Sequence, residues 1–291
     1  MISIAMTTYN GEKYIERQLE SIFSQTLPVD EIIICDDNSK DRTIEIIGRF
    51  IEKNQTDKIR LVHNQENLGY IRNFHKAISL TRGDYIFLAD QDDVWHADKI
   101  EQTLQVLKDK NASVVCTNCS LIDDEGNDIS DSSFFDRNPF VDRVTEKVSE
   151  ISFFELIVGN IAQGCTYCFT KDVKDIYLVV NSEHLEHDHQ IMFVAALQGK
   201  AYFLDEALLD YRLHGNNTIG FGSAEEAKKI HWKIPKLKPV MVRFLEDLNR
   251  GIKVPHFGFY KLLYYFRIPY FISVYRRRQN SDSISAKEIG L

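Results

Sequence analysis

The segment Tyr85-Ile86-Phe87-Leu88-Ala89-Asp90-Gln91-Asp92-Asp93-Val94-Trp95 joins a short apolar run to a burst of carboxylates, and a helical pattern from Lys99 to Leu107 follows it. A brief continuous apolar run bounded by polar residues reads as a strand buried on both faces, and the 3.6-residue period after it as the helix that covers the strand. The same rhythm runs upstream. Ile2 to Thr7 precedes Glu12 to Gln25, whose Ile15, Leu19, Ile22 and Phe23 lie on one stripe. Glu31-Ile32-Ile33-Ile34-Cys35 precedes Thr43 to Glu52, and Ile59-Arg60-Leu61-Val62 precedes Ile71 to Leu80. Four strand-helix units predict an α/β domain with a mostly parallel sheet flanked by helices.

Beyond Val114-Val115-Cys116 the rhythm changes. A hairpin signal at Asp123-Asp124-Glu125-Gly126-Asn127 is followed by a polar loop from Asp131 to Glu150, long enough for a variable region. A helix near Phe153 to Val158, a strand from Thr166 to Phe169, a helix from His189 to Leu197 and an extended segment from Ala201 to Leu213 complete the pattern. The chain divides into a domain over 1–226, with halves 1–111 and 112–226, and a basic, aromatic helical region over 227–291.

At 291 residues, 44% hydrophobic and 27% charged, the chain is neither disordered nor fibrous. The net charge of −8 is unevenly distributed: residues 228–278 carry +11 and residues 1–227 carry −18. An acidic body excludes nucleic acid as the natural partner, and the basic segment points to one anionic surface. Met1-Ile2-Ser3-Ile4-Ala5-Met6 lacks the cationic start of a signal peptide, and Val254 to Tyr275 is interrupted by Lys261, Arg267 and Pro269. A cytoplasmic protein is expected, peripheral on the inner face of the cell membrane. Cys116-Thr117-Asn118-Cys119 and Cys165-Thr166-Tyr167-Cys168 imitate a zinc pattern. In strands, however, residues i and i+3 face opposite ways, so buried thiols are expected instead.

In open α/β sheets, ligands gather at the carboxyl ends of the strands. The first strand leaves at Thr7-Thr8-Tyr9-Asn10, the second at Asp36-Asp37 and the fourth at Asp90-Gln91-Asp92-Asp93. No glycine-rich phosphate cradle follows the first strand, so a bound phosphate ester would need another source of neutralisation. Asp90 and Asp92, two apart in extended chain, can face one side and hold a hard divalent cation. The plainer reading of each cluster is helix capping; Asp36 and Asp37 can alternatively accept hydrogen bonds from a nucleoside. Their joint placement at neighbouring exits favours a site.

Met6-Thr7-Thr8-Tyr9-Asn10-Gly11, Asp36 to Thr43, Asn67-Leu68-Gly69 with Asn73, and Asp90-Gln91-Asp92-Asp93-Val94-Trp95 resemble, in order, the motifs of the family 2 glycosyltransferases, which have the GT-A fold. The form Asp-Gln-Asp-Asp-Val-Trp is similar to the bacterial rhamnosyltransferase-like branch. The resemblance spans about 220 residues and implies a fold, a nucleoside diphosphate sugar donor and an inverting transfer. It also implies that Thr8, Tyr9, Asp36, Asp37, Asn67, Asn73, Asp90 and Gln91 form the nucleotide-sugar pocket and that Asp92 ligates Mg²⁺ or Mn²⁺. His214, at the end of the last strand, would reach the metal or the pyrophosphate. The general base of the family opens a helix in the second half. In Glu186-His187-Asp188-His189-Gln190 that residue is Asp188, ionised at neutral pH through the helix dipole, and the His before it departs from the usual acidic neighbour. His184 and Asp188 also have the i, i+4 spacing of a helical zinc pair, but no third ligand is evident.

The expected function is transfer of a hexose, rhamnose favoured, to a growing and lipid-linked bacterial surface glycan. The rivals are a sugar nucleotidyltransferase, which needs the absent glycine-rich basic loop, and a non-catalytic glycan-assembly protein. The segment 228–278, with thirteen cations among its aromatics, suits a helix lying on an anionic membrane; the plainer alternative is a helical appendage whose aromatics pack on the catalytic domain while its charges are solvated.

Overall fold

The computed structural model of the chain describes residues 1–129, 146–153, 156, 160–215, 217, 239–254, 256–259 and 262. The first half follows the pattern: β1 (Ile2–Thr8), α1 (Ile15–Phe23), β2 (Glu31–Asp36), α2 (Thr43–Asn54), β3 (Ile59–His63), α3 (Tyr70–Leu80), β4 (Tyr85–Ala89), the short β5 (Val94–Trp95) and α4 (Lys99–Asp109). Then come β6 (Val114–Ile122), β7 (Val148–Glu150), β8 (Tyr167–Thr170), α5 (Lys171–Val180), α6 (His187–Ala196), β9 (Ala201–Arg212) and α7 (Pro239–Ile252).

The strands form one sheet in the order β3-β2-β1-β4-β8-β6-β9-β5, with β7 on β9. The sheet is parallel from β3 to β4, as the strand-helix units predict. It is mixed thereafter: β8 runs antiparallel to both β4 and β6, while β6 and β9 are parallel. Register aligns the carboxyl ends, since Thr8 pairs with Asp36, Asp36 with His63 and Met6 with Ala89. Every strand exit named above therefore reaches the same edge.

Each face of the sheet carries its own core. One is built from α1, α2 and α4 through Leu19, Ile47 and Leu104, the other from α3, α5, α6 and α7 through Phe74, Tyr177, Phe193 and Phe244. Helix α6 is buried at every residue, so it has no polar face and must lie inside the domain. Cys116 belongs to one core and Cys119 to the other, as alternation along β6 requires, and all five cysteines are buried free thiols.

One expectation needs correction. Strand β6 continues to Ile122, because the polar Thr117-Asn118 marks a register shift rather than an end, with Asn118 Nδ2 donating to Asp205 Oδ1 at 2.9 Å. At the start of the basic C-terminal region, α7 buries Met241, Phe244, Leu245 and Leu248 on the domain core, with the Phe244 and Phe193 rings 5.3 Å apart. Most of the region's aromatics and Arg276, Arg277 and Arg278 lie outside the described residues, as does most of the polar loop after Asp131. Among the described residues no helix is long and apolar enough to cross a membrane.

Candidate active site

The β1 and β2 exits are braced by their own carboxylates. Asp36, fully buried, accepts from Thr8 Oγ1 at 2.8 Å, from Ser39 N at 2.9 Å and from Ser39 Oγ at 2.5 Å, and His63 Nδ1 lies 3.0 Å away. Those partners occupy the lone-pair capacity of one carboxylate. Asp37 accepts from Asn64 Nδ2 and from the backbone N–H groups of Leu68 and Gly69 at 2.7 and 2.9 Å. Gly69 sits at φ 78°, in the left-handed region, and this turns the chain into α3 while presenting its N–H to Asp37. Asn67 donates to Asp37 O, and Asn73 donates to Cys35 O at 2.8 Å. Helix α2 is not capped by either residue: Asp41 takes that part through Thr43. Tyr9 remains exposed at 48%, and its backbone exchanges two hydrogen bonds with the Gln91 amide. The strand-exit residues thus converge, with Tyr9 presented to solvent and Asp36 and Asp37 inside the loops they hold.

At the β4 exit the carboxylates divide. Asp90 and Asp93 each bring an oxygen within 4.8 Å of Cys165 Sγ, whereas Asp92 turns away to His214, whose Nε2 lies 2.8 Å from Asp92 Oδ2. Asp92 finds its hydrogen-bonding neighbour 122 residues along the chain. Burial, reinforced by like charges on Asp93, Asp92 and Asp188, holds the Asp90 carboxyl well above the usual range. Asp93 is raised too, by burial and by Asp92. Beneath them lies Lys99, fully buried, its Nζ donating to Cys165 O at 3.1 Å and lying 4.8 Å over the Trp95 ring. Burial lowers its pKa to about 8.

Asp188 stands in the first turn of α6, 7% exposed. Its Oδ2 accepts from Asn160 Nδ2 at 2.9 Å and its Oδ1 from the His189 N–H at 2.7 Å, while the Tyr167 hydroxyl donates to Asn160 Oδ1 at 3.2 Å. Desolvation outweighs these hydrogen bonds and lifts the carboxyl to about 6. Burial, not the helix dipole, sets this group, although it is still mostly ionised at pH 7. Gly164 packs so close that a Cβ there would fall 3.1 Å from His187 Nε2 and 3.4 Å from Asp188 Cβ.

The histidine cluster does not converge. His184 precedes the helix, so it is not one turn from Asp188. His187 is stacked on Phe74 at 4.0 Å, its ring nitrogens lack hydrogen-bond partners, and burial drives its pKa down to about 3. His189 Nε2 lies 2.8 Å from Leu156 O. The zinc alternative loses its geometry.

Sequence reading passed over Asn160, Gly164, Lys99, Arg212, Tyr14 and Asp124. Arg212, 6% exposed, donates through Nε to Asp92 O at 2.8 Å and through Nη1 to Asp123 O at 3.0 Å. Tyr14 stacks on His214 and donates its hydroxyl proton to Asp124, which also pairs with Lys13. Their chain neighbours carry no motif; only an ordinary Arg within the last strand pattern hinted at Arg212.

The donor set fits a divalent cation. Asp92 Oδ2 and His214 Nε2 face each other and could supply an oxygen and a nitrogen ligand, while Asp90, Asp93 and Cys165 bring a second set of donor atoms within 4.8 Å of one another. Oxygen ligands suit Mg²⁺ and Mn²⁺ alike, and the added nitrogen favours Mn²⁺ of the two.

The model of the family described as "Glycosyl transferase family 2" matches residues 3–171. A "dTDP-rhamnosyl transferase RfbG" of Shigella flexneri is 29% identical over 235 residues, covering 77% of this chain and 76% of its own. A "Putative teichuronic acid biosynthesis glycosyltransferase TuaG" of Bacillus subtilis (strain 168) is 25% identical, covering 79% of this chain and 85% of its own. Two solved structures share the architecture. Residues 1–349 of S. aureus TarS with UDP-GlcNAc align at TM-score 0.59 and 17% identity, over 86% of this chain and 67% of that one. A mannosyltransferase, PcManGT, from Pyrobaculum calidifontis with GDP-Man and Mn²⁺ aligns at TM-score 0.57 and 16% identity, over 99% of this chain and 75% of that one. At such identities the likeness is one of fold, the GT-A arrangement that the strand-exit motifs imply.

Proposed function

The chain belongs to glycosyl transferase family 2, and on that premise we propose that it is a metal-dependent inverting hexosyltransferase acting on a nucleoside diphosphate sugar. The observation that carries the reading is that Gly164 packs against Asp188 while its chain neighbour Cys165 lies within 4.8 Å of the Asp90 and Asp93 carboxylates, so the β4 exit and the α6 start adjoin. A donor held at the exits would then have its anomeric carbon within reach of the carboxylate at the helix start.

In this reading Thr8, Tyr9, Asp36, Asp37, Asn67, Asn73, Asp90 and Gln91 shape the nucleotide-sugar pocket, several of them through the loops they brace. Asp92 and His214 hold Mn²⁺ or Mg²⁺. When bound, the cation supplies Lewis-acid neutralisation of the diphosphate. Asp188 accepts the proton of the acceptor hydroxyl. As that proton leaves, the hydroxyl oxygen bonds to the anomeric carbon, and the bond from that carbon to the diphosphate oxygen breaks on the opposite face, inverting the centre. A carboxyl at about 6 is ionised at pH 7 yet basic enough to take a proton in the transition state.

Rhamnose is the favoured sugar, supported by the 29% identity to a protein named for dTDP-rhamnose, and a lipid-linked bacterial surface glycan is the favoured acceptor. The +11 segment over 228–278 would bring the enzyme to the anionic membrane surface where such an acceptor resides. The test is release of nucleoside diphosphate from a panel of dTDP-rhamnose, UDP-GlcNAc, UDP-galactose, UDP-glucose and GDP-mannose, with and without Mn²⁺. The highest kcat/KM is expected for dTDP-rhamnose. Preference for a UDP-sugar removes the rhamnose reading and leaves hexosyl transfer; absence of release from every donor removes the enzymatic reading.

A further inference from the structure

His214 is held by a residue far from it in sequence. The backbone after β9 turns sharply: His214 N donates to Asn217 Oδ1 at 2.6 Å, and Asn217 Nδ2 donates to Arg212 O at 3.1 Å. These bonds fix the chain, and the ring itself reaches Asp92 through Nε2 at 2.8 Å. What faces the ring is Tyr14, with centroids 5.0 Å apart and planes 24° from parallel.

Tyr14 is itself anchored from three directions. Its N–H donates to Gly11 O at 3.1 Å, just ahead of α1. Its hydroxyl donates to Asp124 Oδ1, and the Lys13 ammonium donates to the other oxygen of that carboxylate. The Arg212 guanidinium carbon stands 4.9 Å from the centre of its ring. Arg212 in turn donates to Asp92 O and to the carbonyls of Asp123 and Asp124. One network therefore grips the backbone of Asp92 and the ring face of His214, the two groups whose facing atoms are 2.8 Å apart. A phenol is suited to this place because its ring can stack while its hydroxyl ties down the β6 hairpin; an aliphatic side chain could do neither.

We propose that Tyr14 is a positioning residue for the Asp92 and His214 pair, setting the plane of the imidazole so that Nε2 points at the site of the divalent cation. This rests on the reading of Asp92 and His214 as metal ligands. Groups that orient a metal-ligating histidine contribute roughly 10-fold to 100-fold in metal affinity when lost.

The test uses the full chain and Mn²⁺, with free ion followed by its electron paramagnetic resonance signal, alone and with dTDP. Tyr14→Leu, which removes the ring, is expected to weaken Mn²⁺ binding about 10-fold or more, whereas Tyr14→Phe, which keeps it, stays within about 3-fold. In a His214→Ala background, Tyr14→Leu should add less than about 2-fold, because the group it acts through is gone. Wild-type affinity in Tyr14→Leu, or an undiminished loss in the His214→Ala background, overturns the proposal. If Asp92→Asn and His214→Ala both bind Mn²⁺ like the wild type, the metal assignment is the one that fails. The positioning claim is then read in the metal-free protein from the His214 Cε1–H proton resonance. A ring-current displacement kept in Tyr14→Phe and lost in Tyr14→Leu supports it, and an unchanged resonance in Tyr14→Leu overturns it.

Discussion

The exit of β4 crowds Asp90, Asp92 and Asp93 into four residues, whereas the start of α6 presents Asp188 alone, and the two centres treat charge in opposite ways. At the exit burial and neighbouring carboxylates raise Asp90 and Asp93, and hydrogen-bonding partners are brought in from elsewhere: Lys99 from below, Arg212 and His214 from the end of β9. At the helix start the neighbours that bond Asp188 are neutral, an amide side chain and a backbone N–H, and burial raises the group against the hydrogen bonds that lower it. An assembly of that first kind gains most from an added cation, because every like-charge repulsion within it is relieved at once. The second kind exchanges one proton near neutrality and gains nothing from a metal.

The largest effect that can break this contrast is loss of cation dependence. Asp92→Ala should lower turnover by roughly 10³-fold or more and leave the residual rate insensitive to EDTA, since the diphosphate departs without charge neutralisation. Near-normal, EDTA-insensitive turnover would dissolve the distinction between the centres.

Asp188→Asn comes next. The amide keeps the shape and can still accept from Asn160, but it cannot take a proton, so the rate should fall about 10² to 10⁴-fold with donor affinity preserved. A parallel loss of donor binding would move Asp188 into the donor pocket. The same variant also separates burial from function. The folded carboxyl lies about 2 units above its ordinary value, so its ionised form costs stability on the order of 2 to 3 kcal/mol. The folded state binds the extra proton, so this cost grows as pH rises from the unfolded pKa through about 6 and is fully present at pH 7.5. Asp188→Asn should therefore raise Tm at pH 7.5 and lose that advantage near pH 4.

How much of this contrast could be read in the sequence depends on chain distance. The units β1 to α4 were legible because strands buried on both faces leave unbroken apolar runs and the helices keep clean stripes. The later sheet was less so. Helix α5 follows β8 with no intervening turn residue, which hides the stripe Val173, Ile176, Tyr177 and Val180, and β6 runs through polar Asn118 at an irregular register. In the site, the strand-exit carboxylates and Asp188 were visible as residue types at element ends. Their partners were not: His214 is 122 residues from Asp92, Asp124 is 110 from Tyr14, and Asn160 is 28 from Asp188. No local period encodes such pairs, because the sheet order alone brings them together. The same ignorance of depth misjudged Asp188, whose helix position was plain while its burial was not.

The pH profile sharpens the contrast further. If Asp188 must be unprotonated to act, kcat/KM should be flat at high pH and fall about tenfold per pH unit below about 6, the value in the free protein. An acidic limb near the ordinary carboxylate range would mean that the acting base is a solvated group.

The smallest expected effect tests whether neutral partners really tune the lone carboxylate. Asn160 Nδ2 donates to Asp188 Oδ2 and so favours the ionised form, opposing the burial that disfavours it. Asn160→Ala removes that donor and adds no charge. The acidic limb should then move upward by about one unit, since a hydrogen bond to a charged group is worth about 1.5 to 3 kcal/mol and returning water recovers part of it. kcat/KM should drop about fivefold at pH 6 and recover above pH 8, where Asp188 is ionised in both proteins. Mn²⁺ affinity should stay unchanged, because the partners of Asn160 among the described residues are Asp188, the Tyr167 hydroxyl and the Ile161 N–H, none of them at the β4 exit. A uniform loss at all pH values would make Asn160 a contact for the substrate, and a change in Mn²⁺ affinity would show that the two centres form a single charge system.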